Sequence, residues 1–229
     1  MPVPMLSTPL ERPSVRVTSI FFDLDGTLVD TFPGIDYSVR AAVAAVLPDV
    51  QLPPLRGFIG PPVREVLRRA LPMLDEAAVE AIVRHFRVSY DTEGWRRSTP
   101  YPGVPETLAA LVTRGVICAV VTNKPILPTR MILAELRLAG FFAAIVAPDF
   151  VQPRMPSKAE AVRHVLATLG LDAATTVLVG DSRDDAEAAR ETGVVFAAAA
   201  YGFGRVHESD DADPIAVLTD FAGILGLVQ

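Results

Sequence analysis

The stretch SIFFDLDGTLVDT, residues 19–31, decides the fold and raises a question of chemistry. Its apolar residues 20–22 predict a buried β-strand, and two carboxylates, Asp23 and Asp25, follow directly. A buried carboxylate is costly unless a partner compensates its charge. Either the strand therefore ends in a solvated turn, or a cation is held beside these side chains.

The composition is that of a globular protein. The 229 residues are half apolar and carry a net charge of -6. This acidic balance argues against a general nucleic-acid binder, and the sequence has no apolar run of membrane-spanning length. The proline-rich residues 1–13 lack the long apolar core of a signal peptide and are interpreted as a frayed leader. We expect a cytoplasmic protein that binds neither nucleic acid nor membranes.

Alternation of apolar runs with helical patterns predicts the fold class. Five runs are typical of buried strands, and the later ones are separated by amphipathic segments that end at glycines. This pattern predicts an α/β protein, with a Rossmann-like parallel sheet and helices on both faces. The predicted strands are 17–22, 116–121, 143–147, 176–179 and 194–199, and the predicted helices between them are 105–112, 130–138, 158–169 and 185–191.

One long segment interrupts this alternation. Residues 32–99 contain only helical patterns, at 35–47, 63–71 and 77–90, and prolines and glycines flank both ends. We therefore predict an inserted all-helical domain at 32–99 and an α/β core domain formed by 1–31 and 100–229.

Polar residues follow three of the predicted strands where those strands end. In open parallel sheets, ligands bind outside the carboxyl ends of the strands. We therefore expect these side chains to share one site: Asp23, Asp25, Gly26 and Thr27 after the first strand, Thr122 and Asn123 after the second, and Asp181 and Asp185 after the fourth.

Ordinary structural roles also fit these residues. Asp23 and Asp25 are compatible with a capped turn, and residues 122–123 with a turn or a helix N-cap. The acids at 184–187 suit the positive end of a helix dipole. A calcium loop fits less well, because the EF-hand glycine is the sixth residue and Gly26 is the fourth from Asp23.

Lys158 resists such an interpretation. Lys124 and Lys158 are the two lysines of the sequence, and Ser157 makes an N-cap that places Lys158 in the first turn of a helix. A cation is unfavourable at that position. A residue that breaks a local rule is often functional, so we predict that Lys158 faces carboxylates or a phosphate.

Four motifs now support a resemblance to a known family. DLDGTLVDT, VVTNK, Lys158 and VGDSRDD resemble, in order, the motifs of the haloacid dehalogenase-like superfamily. FIGPP, YPGVPETLAAL and YGFG resemble its phosphoglycolate phosphatase-like branch, which carries a helical cap domain after the first motif. The likeness runs from about residue 17 to the C-terminus. It implies a Mg²⁺-dependent phosphatase that acts on a small phosphorylated metabolite, as a monomer or homodimer.

The resemblance also implies catalytic roles. Asp23 would be the nucleophile and Asp25 the general acid and base. Thr122 and the Asn123 amide would hold phosphate oxygens. Lys158 would neutralise the phosphate and fix Asp23, as the only protein cation of the site.

The same resemblance implies a metal site. Asp23, the main-chain carbonyl of Asp25, and Asp181 would bind Mg²⁺, while Asp185 would act through water or through Lys158. Asp184 is interpreted only as an acid at a helix start. Gly26 would allow a tight turn beside the substrate, and Thr27 belongs to the same substrate-binding loop.

The substrate is left open by the sequence. Ala159 follows Lys158, as in nucleotidase-like relatives, whereas many phosphoglycolate phosphatases have proline there. A phosphoglycolate-like ester and a nucleoside monophosphate are therefore both expected, with Arg64, Arg68 and the loop 57–62 as candidate selecting residues. A sugar-phosphate mutase and a non-catalytic phosphate-sensing or partner-binding relative remain as alternatives. The lysine-free segment 32–99 argues against a phosphonoacetaldehyde hydrolase, and Asp25 against a haloacid dehalogenase.

Overall fold

A six-stranded parallel sheet forms the centre of the molecule. The computed structural model describes residues 16–208 and 211–228, so the predicted leader at 1–13 lies outside the described residues. The strand order is β5-β4-β1-β6-β7-β8. These strands are β1 (Ser19–Phe22), β4 (Ile117–Val121), β5 (Ala144–Val146), β6 (Thr176–Gly180), β7 (Val195–Ala199) and β8 (Ala216–Leu218).

The central strand β1 is paired on both sides. Phe22, its last residue, lies in register with Val120 of β4 and Val179 of β6. All four residues of β1 are buried, which explains why the strand is a continuous apolar run rather than an alternating one. The carboxyl ends of β4, β1 and β6 therefore meet at one edge of the sheet.

Helices cover both faces of this sheet, as the sequence predicts. They are α4 (Val104–Thr113), α5 (Ile126–Glu135), α6 (Lys158–Leu169) and α7 (Arg183–Thr192). Side chains of β1 alternate between two apolar clusters: Phe22 packs in one with Leu108 of α4, and Phe21 in the other with Val162 of α6. The fold class predicted for the core is confirmed. Within the described ranges, no helix has the length and apolar character needed to cross a membrane.

The segment predicted to be helical contains three long helices. They are α1 (Phe32–Val46), α2 (Val63–Ala70) and α3 (Glu76–Thr92). Their apolar faces meet in a third cluster that includes Val39, Leu67 and Ile82. The helices therefore form a packed unit, while the assignment of 32–99 as a separate domain stays a prediction.

The junction between this helical segment and the sheet contains a paired ribbon that the sequence pattern does not indicate. A short antiparallel ribbon joins β2 (Val29–Asp30) to β3 (Thr99–Pro100), with Asp30 opposite Thr99. The chain thus enters and leaves the helical segment at one place. We call this pair the entry ribbon.

Candidate functional site

Asp23 lies one residue beyond β1 and remains tied to the sheet. Its backbone N–H donates to the Val179 carbonyl at 2.9 Å, so the side chain emerges at the carboxyl edge. Only 6% of Asp23 is exposed. A carboxylate in this position needs a nearby cation to remain charged.

Lys158 supplies that cation. It is the first residue of α6, with Ser157 as the N-cap, as the sequence indicates. Its Nζ lies 2.7 Å from Asp23 Oδ1 and 2.5 Å from Asp185 Oδ1. The Lys158 side chain is 4% exposed, so the two ion pairs are shielded from water. Two carboxylates therefore offset the unfavourable position of the lysine at a helix start.

Asp185 is held on both of its oxygens. Oδ1 accepts from Lys158, and Oδ2 accepts from the backbone N–H of Ser182 at 3.0 Å and from its hydroxyl at 2.5 Å. Asp185 is fully buried in the first turn of α7. It therefore anchors Lys158 to the helix that follows β6.

Asp181 directly follows β6, just as Asp23 directly follows β1. Its Oδ2 accepts backbone N–H groups from Phe203 at 3.1 Å and from Gly204 at 2.7 Å. Gly26 adopts a φ of +82°, and a Cβ there would overlap the Asp181 carboxylate. A Cβ at Gly202 would overlap the same carboxylate. Glycines on two loops thus allow the backbone to close around Asp181.

Three buried acids lie close enough together to hold a cation. Asp23, Asp181 and Asp185 each offer a carboxylate oxygen, and these oxygens lie within 4.8 Å of one another. Burial, opposed by Lys158 and reinforced by Asp185, raises the pKa of Asp23 to about 6. Burial and the charge of Asp23 also raise the pKa of Asp181 well above its ordinary value. Three carboxylates beside one lysine form an all-oxygen donor set with a net negative charge, which fits a hard divalent cation such as Mg²⁺.

Asp25 contacts a second lysine. Its Oδ2 accepts from Lys124 Nζ at 3.0 Å, and the Lys124 side chain is 6% exposed. The expectation that Lys158 is the only protein cation of the site is therefore wrong. Two signals in the sequence pointed to Lys124, namely the scarcity of lysine and its place directly after Thr122 and Asn123.

The two residues after β4 differ in exposure. Thr122 is buried, and its Oγ1 accepts the backbone N–H of Lys124 at 3.2 Å. Asn123 is exposed, and its Nδ2 donates to Asp184 Oδ2 at 2.8 Å. Asp184, interpreted from sequence only as a helix-start acid, thus also links α7 to the loop after β4.

Thr27 is enclosed beneath the loop that follows β1. It is fully buried, and its carbonyl accepts from the Tyr201 hydroxyl at 2.9 Å. The structure therefore shows Thr27 supporting the loop through its backbone, while its predicted contact with substrate stays a prediction.

The candidate selecting arginines are paired within the helical segment. Arg64 contacts Glu76 at 2.8 Å and also contacts Glu80, while Arg68 contacts Glu76 at 2.9 Å. Their charges are thus compensated locally by α3.

The chain is similar to known proteins over most of its length. A 5'-nucleotidase from Pseudomonas aeruginosa is 34% identical over 217 residues, which cover 94% of this chain and 97% of that protein. A phosphoglycolate phosphatase from Agrobacterium fabrum is 35% identical over 211 residues, covering 89% of this chain and 88% of that protein. The solved structure of a haloacid dehalogenase-like family hydrolase from Streptococcus pneumoniae superposes with a TM-score of 0.84 at 27% identity, covering 93% of this chain and 99% of that one.

The family of haloacid dehalogenase-like hydrolases matches residues 20–199. That range runs from the second residue of β1 to the last residue of β7 and includes every acid and lysine of the site described above. The chain belongs to the haloacid dehalogenase-like hydrolase family.

Proposed function

We propose that this protein is a Mg²⁺-dependent phosphatase that hydrolyses a small phosphomonoester through an aspartyl-phosphate. The observation that carries the proposal is the buried arrangement of Asp23, Lys158 and Asp185, with Asp181 beside them. Phosphoryl transfer depends mainly on positioning and on neutralising charge, and this arrangement provides both.

The first step is attack on the substrate by Asp23. A carboxylate oxygen of Asp23 forms a bond to phosphorus, and the bond from phosphorus to the ester oxygen breaks. The departing oxygen keeps the electron pair and takes a proton from Asp25. Lys158 stabilises the charge on the phosphoryl oxygens, and Thr122 with the Asn123 amide holds two of them.

The second step returns the enzyme to its starting state. A water molecule gives a proton to Asp25 and attacks phosphorus, while the bond to the Asp23 oxygen breaks. Inorganic phosphate leaves, and Asp23 is again a carboxylate. Asp25 thus needs one oxygen free to exchange a proton, and its buried Oδ1 has no hydrogen-bond partner among the described residues.

The carboxylates divide into metal ligands and supports. Asp23, the Asp25 carbonyl and Asp181 would hold Mg²⁺, which when bound neutralises the phosphate and the acids around it. Asp185 acts through Lys158, because both of its oxygens are engaged by the protein.

The helical segment 32–99 serves as a cap over the site. Tyr90 of α3 lies beside Lys124, and Phe203, whose backbone holds Asp181, packs against the apolar cluster of the helical segment. A cap in this place excludes water and contacts the leaving group. The substrate is therefore a small ester, phosphoglycolate-like or a nucleoside monophosphate; relatives in the comparisons include proteins named phosphoglycolate phosphatase and 5'-nucleotidase.

A hydrolysis screen tests the proposal. Purified protein is assayed with p-nitrophenyl phosphate, phosphoglycolate, nucleoside monophosphates and sugar phosphates, with and without Mg²⁺. We expect Mg²⁺-dependent release of phosphate from p-nitrophenyl phosphate and from at least one of the natural esters. Isomerised sugar phosphate without free phosphate would instead indicate a mutase. Binding of phosphate without turnover of any ester would indicate a phosphate-sensing protein and would refute hydrolysis.

A further inference from the structure

We propose that Lys124 is a positioning residue for Asp25, and that Tyr90 of the helical segment holds Lys124 in place. This inference rests on the proposed function, because it assigns how Asp25 is oriented for proton transfer. It concerns a contact between the sheet and α3.

The first observation is that Lys124 contacts one carboxylate oxygen of Asp25 and not the other. Oδ2 accepts from Lys124 Nζ at 3.0 Å, while Oδ1 is buried without a hydrogen-bond partner in the described part of the chain. A carboxylate tied at one oxygen has little freedom to rotate. Oδ1 is then the oxygen left without a protein partner, and we assign to it the proton that the ester oxygen takes once substrate enters.

The second observation is that Lys124 is itself held rigidly. Its backbone N–H donates to Thr122 Oγ1, and α5 begins two residues later at Ile126, whose N–H donates to Asp149 Oδ1 at 2.9 Å. The backbone of Lys124 is therefore anchored on both sides, and its side chain is enclosed.

The third observation is that the ammonium also contacts α3. Lys124 Nζ lies 4.5 Å from the centroid of the Tyr90 ring, a cation–π geometry. Tyr90 is 4% exposed and stacks on Phe86 with 5.4 Å between ring centroids. Although α3 packs largely in the cluster of the helical segment, Tyr90 belongs to the apolar cluster of the sheet.

These contacts form a chain from the helical segment to Asp25. The Tyr90 ring supports the Lys124 ammonium, and the ammonium orients the Asp25 carboxylate. Oδ1 is thereby aimed for proton transfer while the helical segment is seated on the sheet. Loss of either support should impair leaving-group protonation more than attack by Asp23.

Comparison of two leaving groups tests this inference. The p-nitrophenolate group leaves without needing a proton, whereas the alkoxide of an alkyl ester requires one. We measure kcat/KM for p-nitrophenyl phosphate and for whichever of phosphoglycolate and adenosine monophosphate the wild type hydrolyses faster. Because general acid catalysis contributes about 10²–10⁴-fold, Lys124→Met should lose at least about tenfold more activity on the alkyl ester.

Matched variants separate positioning from a general structural effect. Lys124→Arg keeps the charge and should recover part of the alkyl-ester activity. Tyr90→Phe keeps the ring and should retain the wild-type ratio of the two substrates, whereas Tyr90→Leu should shift it in the same direction as Lys124→Met. Tyr37→Leu is the control, because the Tyr37 ring also contacts a cation, Arg97, with 3.8 Å between ring centroid and guanidinium carbon.

The double variant Lys124→Met/Tyr90→Leu tests the coupling. Its loss should be smaller than the product of the single losses, since both act through Asp25. If each Lys124 variant lost the same factor of kcat/KM on both esters, to within about threefold, the inference would be overturned but the proposed phosphatase activity would stand. Absence of turnover in the wild type would instead refute the proposed function. If the larger substitutions fail to fold, Lys124→Arg decides, because the inference requires it to lose more activity on the alkyl ester than on p-nitrophenyl phosphate.

Discussion

Asp185 lies fully buried beneath Lys158, with 2.5 Å between its Oδ1 and the lysine Nζ. Because Lys158 also contacts Asp23, one cation joins the loop after β1 to the first turn of α7. Burial acts to lower the pKa of Lys158, but Asp185 and Asp23 raise it above its ordinary value. The lysine is therefore charged throughout the physiological range.

Asp23→Asn should abolish turnover without unfolding the protein. Asparagine has nearly the same shape but cannot form the aspartyl-phosphate, so the rate should fall at least about 10³-fold. Steady-state kinetics with p-nitrophenyl phosphate and a thermal melt measure the two effects. Turnover within about tenfold of the wild type would contradict the role of Asp23 as nucleophile.

Lys158→Ala should impair both catalysis and stability. Loss of one charge-stabilising contact lowers rates by about 10²–10³-fold in comparable sites. The position of Lys158 at a helix start alone would suggest little loss of stability. Lys158 is, however, buried between two carboxylates, and removing one partner of a buried ion pair lowers the free energy of unfolding by about 3–5 kcal/mol. Chemical denaturation measures that free energy. Arg163→Ala, which removes an exposed cation from the same helix, is the control. Near-normal kinetics in Lys158→Ala would refute the assignment.

Removal of divalent metal should stop catalysis and change stability. After EDTA treatment and desalting, activity should be lost and then restored by Mg²⁺. Added Mg²⁺ should raise the melting temperature of the metal-free protein, since it binds the folded state selectively. Asp181→Asn should weaken this shift. Full activity in the metal-free protein would contradict metal dependence.

The stability of the metal-free protein should depend on pH through Asp23. Burial raises the pKa of Asp23 from 3.8 to about 6, so the folded state holds a proton that the unfolded state releases between these values. The free energy of unfolding should therefore fall as pH rises through this window, by about 1.4 kcal/mol for each unit of pKa difference. Asp23→Asn should remove this component, and equal slopes for the two proteins would contradict it.

Gly26→Ala should disrupt the loop around Asp181. The methyl group would overlap the Asp181 carboxylate, and alanine would have to adopt the positive φ that the loop requires. Gly115→Ala is the matched control, because Gly115 has a similar φ of +76° with open space around it. In both variants the left-handed conformation of alanine should lower the free energy of unfolding by about 1–2 kcal/mol. Only Gly26→Ala should also lose Mg²⁺ binding, measured by the shift in melting temperature.

The sequence predicts those parts of the fold whose pattern is set by burial alone. The five predicted strands are apolar because the sheet is covered on both faces, and each is present with ends shifted by a few residues. Strand β8 was missed because it is short and lies at the sheet edge, where Val217 is 50% exposed. The entry ribbon has only two residues on each side, and the residues that pair, such as Asp30 and Thr99, lie far apart in the sequence.

Part of the candidate site could likewise be predicted from the sequence, and part could not. Residues directly after strands could be located from sequence, because parallel strands bring their carboxyl ends together. The contact of Lys124 with Asp25 joins residues 99 positions apart, and that with Tyr90 depends on how α3 packs on the sheet. No periodic pattern encodes such contacts.

The entry ribbon also bears on how such a protein acquires a new specificity. Val29 lies opposite Pro100 and Asp30 opposite Thr99, so the two ends of residues 31–98 are neighbours in space. Removing that segment and closing the gap with a two-residue turn would leave an ordinary β-hairpin, with the sheet register undisturbed. Insertions are tolerated where the flanking backbone is already close and paired. We therefore expect the ribbon to be a point at which the helical segment can be exchanged, provided that the replacement also supplies a contact like that of Tyr90 with Lys124.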